Sequence, residues 1–128
     1  MKRILVTGGS GFIGSHIVEH YQGKAEVRVL DNLRTGRREN LSGLECEFLE
    51  GDVSDRAAVA EAVKGVDYIF HLAALVSVPE SMEKIVECNQ INAVGTIVLL
   101  EEAAKAGVKK LILSTSAANY GDNPVSPK

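Results

Sequence analysis

Residues 4–14 read Ile-Leu-Val-Thr-Gly-Gly-Ser-Gly-Phe-Ile-Gly, and no other segment constrains the fold as tightly. Ile4, Leu5 and Val6 form a short apolar run of strand-prone residues. Glycines at 8, 11 and 14 follow at once, and an apolar periodicity through Phe12, Ile13, Ile17 and Val18 comes after them. The pattern predicts a strand, a tight glycine turn and a helix. Gly8 allows the sharp exit from the strand, Gly11 lets the backbone come close to a pyrophosphate, and Gly14 lets helix and strand pack closely. The free N–H groups and positive dipole end of the new helix then suit a phosphate.

The rest of the chain repeats the alternation. Strands are predicted near 3–7, 26–30, 46–50, 68–72 and 110–114, with helices near 12–22, after Ser54 or Asp55, and over roughly 80–106. Gly23 and Gly65 close the first two helices. The third helix is expected to turn Ile85, Asn89, Asn92, Thr96, Leu99, Leu100 and Ala103 to one side. The strands are mostly unbroken apolar runs, which suits a parallel sheet covered by helices on both faces. Right-handed crossovers then give a three-layer α/β Rossmann fold with strand order 3-2-1-4-5. Residues 1–128 form one dinucleotide-binding domain in this reading. Residues 120–128, with two prolines and a glycine, are expected to form a loop.

Composition excludes several classes of function. Net charge is −3 and there is no basic stripe, so no nucleic-acid partner is expected. No apolar run is long enough for a membrane span. The start, Met-Lys-Arg-Ile-Leu-Val-Thr, reads as a strand and not as a signal peptide. Cys46 and Cys88 are far apart and without metal-ligand spacing, so two free thiols in a cytoplasmic protein and no metal are expected. His16 and His20 are four apart on a predicted helix but lack a third ligand.

Asp31, 17 residues past Gly14, ends the second strand. A carboxylate there accepts hydrogen bonds from both adenosine-ribose hydroxyls and repels a 2′-phosphate, which favours NAD over NADP. A plain strand-end turn is the alternative. Arg34, Arg37 and Arg38 follow and are read mainly as a solvated loop, although arginines there could hold a phosphate. Asp52 and Val53 follow the third strand, beside the expected adenine pocket: the carboxylate takes the amino group and the valine covers the ring, or else the pair simply starts a helix. Ala73 and Ala74 are small where the cofactor backbone passes. His71 is read as a hydrogen-bonded core residue. Ser114, Thr115 and Ser116 close the fifth strand at the ligand-binding edge, where a hydroxyl can bond a substrate oxygen.

Thr7-Gly8-Gly9-Ser10-Gly11-Phe12-Ile13-Gly14, Asp31-Asn32-Leu33, Gly51-Asp52-Val53, His71-Leu72-Ala73-Ala74, Asn92-Ala93-Val94-Gly95-Thr96 and Ser114-Thr115-Ser116-Ala117-Ala118-Asn119-Tyr120-Gly121 occur in this order. Together they resemble the extended short-chain dehydrogenase/reductases that act on nucleotide sugars, above all the 4-epimerases of UDP-glucose and UDP-N-acetylglucosamine. The resemblance covers essentially the whole chain. It implies NAD as cofactor and a UDP-hexose as substrate. It also implies a mechanism in which a tyrosinate removes the 4-OH proton, hydride passes from C4 to NAD, and the 4-keto sugar takes it back on its other face.

In that resemblance Phe12 and Ile13 join the three glycines at the cofactor, Asn32 joins Asp31, and Leu72 joins the two alanines. Asn92 and Ser114 complete the cofactor wall on the active-site side. Ser116 is the implied catalytic hydroxyl, and Ser77, Val78 and Tyr120 are implied to lie at the sugar. The family's Tyr-x-x-x-Lys pair has no match: the positions four after Tyr21, Tyr68 and Tyr120 are Ala25, Leu72 and Pro124. The chain is therefore expected to be the amino-terminal part of such an enzyme, ending before the catalytic helix and the carboxy-terminal sugar-nucleotide domain, and inactive alone. A 4,6-dehydratase or a UDP-glucuronate decarboxylase of the same family is the alternative reaction. Ala117 and Ala118 count against a dehydratase, which carries acidic residues there. A non-catalytic NAD-binding domain is the other alternative. A sheet edge left open in this way predicts a homo-oligomer or aggregate.

Overall fold

The computed structural model describes residues 1–122 and 124–126; Asn123, Pro127 and Lys128, part of the loop predicted at the end, lie outside the described residues. The strands are β1 (Arg3–Thr7), β2 (Glu26–Asp31), β3 (Glu47–Glu50), β4 (Tyr68–His71) and β5 (Lys110–Leu113). Among the described residues they form one parallel sheet in the order β3-β2-β1-β4-β5. The helices are α1 (Phe12–His20), α2 (Arg56–Ala62), α3 (Val78–Glu83), α4 (Ile85–Asn89) and α5 (Gly95–Ala106). The fold class and strand order agree with the sequence reading.

Alternation along β1 builds both halves of the core. Ile4 and Val6 pack with Val27, Val29 and Val18 on the α1 face. Leu5 points the other way, to Leu30, Ile69, Val59, Val63 and Leu99 beneath α2 and α5. Leu5, Leu30, Ile69 and Leu99 have no solvent exposure, and each such burial stabilises the fold by about 2 kcal/mol. Arg28 is the buried charge of β2. Its Nε donates to Glu47 Oε2 at 2.8 Å, and its Nη1 donates to the Ala62 and Lys64 carbonyls at 2.7 and 2.8 Å. A cation thus closes the carboxyl end of α2, where its last carbonyls lack helical partners.

The single helix expected over 80–106 is instead three pieces. Lys84 leaves helical geometry at φ −120°, ψ 58°, separating α3 from α4. A π-helical turn at Gln90–Val94 then joins α4 to α5. The predicted face holds at Leu99 and Ala103, which are buried, and fails elsewhere: Ile85 and Leu100 are 69% and 49% exposed, while Ile91 and Val98, absent from that face, are buried. No α3 or α4 residue is buried. Among the described residues, no helix is long and apolar enough to cross a membrane.

Asp55, and not Ser54, caps α2, its carboxylate accepting from the Ala57 and Ala58 N–H groups at 3.1 and 3.5 Å. Asp55→Ala is expected to lower stability by about 1 kcal/mol, the usual worth of such a cap. Urea unfolding checks this; an unchanged midpoint would remove the cap from the account.

Candidate functional site

The strand order runs outward in opposite directions from between β1 and β4, which are parallel, and a cleft of about 920 Å³ opens along the carboxyl ends of the strands there. Open α/β sheets place ligands at this switch point. The cleft gathers Gly8, Gly11, Phe12, Ile13, Gly14, Asp31, Asn32, Val53, Leu72, Ala73, Ala74, Asn92, Ser114 and Ser116 from stretches far apart in sequence.

The glycine turn forms the first wall. Gly8 has φ +72°, and a Cβ on it would lie 2.9 Å from the Ala73 nitrogen, so both conformation and contact require glycine. At Gly14 a Cβ would lie 2.8 Å from Gly9 Cα and closer still to the Gly8 carbonyl oxygen. Gly11 differs: a Cβ would meet only the Gly8 oxygen, at 3.3 Å, and otherwise point into open space. Gly11 precedes α1, whose first turn carries neither a side-chain cap nor an acidic residue. Its leading N–H groups and positive dipole end are therefore left for an anion. Phe12 and Ile13 are 79% and 60% exposed at this mouth, an apolar ledge without a protein cover.

Asp31 is buried against this turn. Its Oδ2 accepts from Ser10 N at 3.0 Å and Ser10 Oγ at 2.5 Å, and its Oδ1 accepts from Leu33 N at 2.9 Å. A carboxylate has about four acceptor positions, so one remains for a ligand. Leu33 sits in the left-handed region at φ 60°. The bend is held by that Asp31 bond and by Arg34 N donating to Asn32 Oδ1 at 2.9 Å. It swings Arg34 across the cleft wall, where the guanidinium pairs with Glu80 and Glu87. Asn32 Nδ2 donates to Asp52 Oδ2 at 3.2 Å. Burial alone would raise the Asp52 carboxyl, but bonds from the Ser54 N–H and hydroxyl and from Asn32, with the Arg34 charge, together hold it below the usual range.

The floor is a directed chain of hydrogen bonds. Thr7 Oγ1 accepts from Leu72 N and Ala73 N, both at 3.1 Å. Its proton therefore goes to His71 Nδ1, 2.6 Å away. Thr96 Oγ1 donates to the Asn92 carbonyl at 2.8 Å, so His71 Nε2 donates to Thr96 at 2.9 Å. His71 is thus neutral with its proton on Nε2, and burial pushes its pKa down to about 4. It is the hydrogen-bonded core residue expected. Asn92, placed by the π-helical turn, clamps Leu75 at both ends: Oδ1 accepts from Leu75 N at 2.7 Å and Nδ2 donates to Leu75 O at 3.0 Å.

At the far end, Ser116 Oγ accepts from Ala118 N at 3.1 Å, which leaves its proton free to donate into the cleft. Four candidates lie off the cleft lining. Asp52 is turned into its own bonds, Ser77 Oγ accepts from Glu80 N at 3.3 Å as the α3 cap, and Val78 and Tyr120 are 69% and 60% exposed. The sequence reading missed Thr7 and Thr96 and the engagement of Arg34. Thr7 had a signal, as the hydroxyl that ends β1 just before the glycine turn.

Residues 4–128 match the model of the NAD dependent epimerase/dehydratase family. A UDP-glucose 4-epimerase of Klebsiella pneumoniae is 41% identical over 134 residues, covering 98% of this chain and 96% of that protein. The chain spans about 40% of the length of further curated relatives. Among solved structures, UDP-N-acetylglucosamine 4-epimerase from Methanobrevibacter ruminantium M1, in complex with UDP-N-acetylmuramic acid, superposes with TM-score 0.91 at 41% identity, over 99% of this chain and 42% of that one. A UDP-glucose-4-epimerase from Stenotrophomonas maltophila, with bound NAD and formylated UDP-arabinopyranose, gives 0.90 at 34% identity, over 100% and 41%.

Proposed function

The chain belongs to the NAD dependent epimerase/dehydratase family, and on that premise we propose that it is the NAD-binding part of a cytoplasmic nucleotide-sugar 4-epimerase acting on a UDP-hexose. One observation carries the cofactor reading: the Asp31 carboxylate is hydrogen-bonded to the glycine turn at Ser10, beside the uncapped start of α1, and keeps an acceptor position to spare.

The residues fit the group. The Gly11–Gly14 turn and the first N–H groups of α1 hold the pyrophosphate, Asp31 takes the adenosine ribose, and Val53 covers the adenine. Leu72, Ala73, Ala74 and Asn92 form the wall toward the nicotinamide. Bound there, NAD supplies reversible hydride exchange at C4 of the sugar. Ser116 donates its free hydroxyl proton to the reacting sugar oxygen and orients it. Ser77, Val78 and Tyr120 lie off the cleft lining, and their assignment to the sugar side rests on the family resemblance alone. The proton-transfer tyrosine has no counterpart among Tyr21, Tyr68 and Tyr120, so these 128 residues bind cofactor without turning substrate over.

Calorimetric titration of the chain with NAD tests the reading. Asp31→Ala is expected to weaken NAD by about 1–3 kcal/mol, the worth of hydrogen bonds to a charged group. Absence of NAD binding would refute the reading, and an unchanged affinity in the variant would refute the ribose assignment.

A further inference from the structure

Arg34 poses a conflict that the cofactor reading leaves open. NAD and NADP differ only by a phosphate on the adenosine ribose, and the residue seated at that ribose in our reading is Asp31. Three positions on stands an arginine that lines the same cleft. A planar guanidinium is the side chain best shaped for a phosphate, so taken alone Arg34 would invite the phosphorylated cofactor.

The fold removes it from that role. The Leu33 bend carries Arg34 toward the α3–α4 segment, where Nη2 donates to Glu80 and Nη1 to Glu87. Both ends of the guanidinium fork are engaged by carboxylates 46 and 53 residues away. Lys84 is nearby, with its Nζ 3.5 Å from Glu80. Asp31, Glu80 and Glu87 thus set three carboxylates around Arg34, with Lys84 the cation beside Glu80. A 2′-phosphate arriving here meets an arginine already neutralised and carboxylates that repel it. The Glu–Arg–Glu group is also built across two elements, so it cannot re-form elsewhere without moving the loop after β2.

We propose that Glu80 and Glu87 are cofactor-discriminating residues, which hold Arg34 away from a 2′-phosphate and so reinforce selection of NAD over NADP. The inference rests on the NAD-binding reading above. It assigns the discrimination partly to repulsion and withdrawal and not to Asp31 alone, as selectivity often requires.

The test is the ratio of NADP to NAD affinity, by calorimetry, in the unmodified chain, the E80Q/E87Q variant, and E80Q/E87Q combined with R34Q. The double variant is expected to gain NADP affinity relative to NAD by about tenfold or more, the scale of one charge-assisted hydrogen bond. Adding R34Q is expected to cancel the gain. Both glutamates reach solvent, and circular dichroism checks the fold. Should the double variant not fold, E87Q alone is expected to move the ratio the same way by a smaller factor. An unchanged ratio in a folded variant overturns the proposal, as does a gain that persists with R34Q, which would point to Lys84. NAD binding with an unchanged ratio removes only this inference. Failure of the unmodified chain to bind NAD removes the underlying reading with it.

Discussion

Replacing Gly11 by valine is expected to abolish NAD binding while leaving folding stability within about 1 kcal/mol of the parent chain. The backbone at Gly11 is extended, at φ −78°, ψ −179°, a region valine readily adopts. The added Cβ meets only the Gly8 carbonyl oxygen, at 3.3 Å, and the methyl groups it carries are expected to fill the space where a pyrophosphate would approach α1. The affinity loss should exceed about a hundredfold, or roughly 2.7 kcal/mol. Gly14→Ala makes the contrast: its single methyl runs into the Gly8–Gly9 backbone, so it is expected to cost about 2–4 kcal/mol of stability. Calorimetry with NAD and urea unfolding on both variants separate the two roles. Intact NAD affinity in the valine variant would end the phosphate-loop assignment, and a valine variant that unfolds would make Gly11 a packing residue.

Acidification should act on the cleft floor through His71. Its pKa is about 4 in the folded chain against an ordinary 6.5, because burial disfavours the charged ring. The unfolded chain therefore binds more protons between those values, and stability falls as the pH drops through 6.5 toward 4. The contribution is complete above pH 6.5. From pH 7.5 to 4.5 the loss is about 2–3 kcal/mol. Asp52 does not confuse this window: its depressed carboxyl contributes above its ordinary 3.8 and loses that contribution only at lower pH. Urea unfolding at several pH values, with an NMR titration of the imidazole, checks the prediction. His71→Asn is expected to be less stable at neutral pH but to lack this slope. Equal stability of the parent at pH 7.5 and 4.5, or a His71 midpoint near 6.5, would contradict the directed hydrogen-bond chain from Thr7 to Asn92.

The architecture was legible because it is written in local pattern. Apolar runs marked all five strands to within about two residues, since the central strands of a parallel sheet are covered on both faces and are rich in apolar residues, Arg28 of β2 apart. The glycine turn was legible because Gly8 and Gly14 meet backbone where no side chain fits. Legibility ended where structure depends on contacts distant in sequence or on a change of period. The engagement of Arg34 by Glu80 and Glu87 spans some 50 residues and leaves no local trace. The Thr7–His71–Thr96 relay joins three elements. The face of residues 85–103 was misread because a helical period of 3.6 cannot be carried through the π-helical turn, so Ile91 and Val98 fell outside the expected stripe. Glu102 is buried on α5, satisfied by Arg56 Nη1 at 2.8 Å across 46 residues of sequence.

That turn gives chain length an unusual meaning between residues 90 and 94. A π turn holds one more residue than an α turn while keeping the helices on either side in phase. Removing one residue there would convert it to ordinary α-helix and leave Leu99 and Ala103 on the sheet. Asn92 would then be rotated off Leu75, and the strip that floors the cleft would lose its clamp. Most deletions inside a helix shift everything beyond them; this one would leave α5 seated and act on Ile91 and Asn92, the two residues the turn places. Over evolutionary time the segment can accept exchanges of side chain far more easily than a change of count, so a family sharing this site should keep its spacing from Asn92 to Gly95 even where the intervening residues differ.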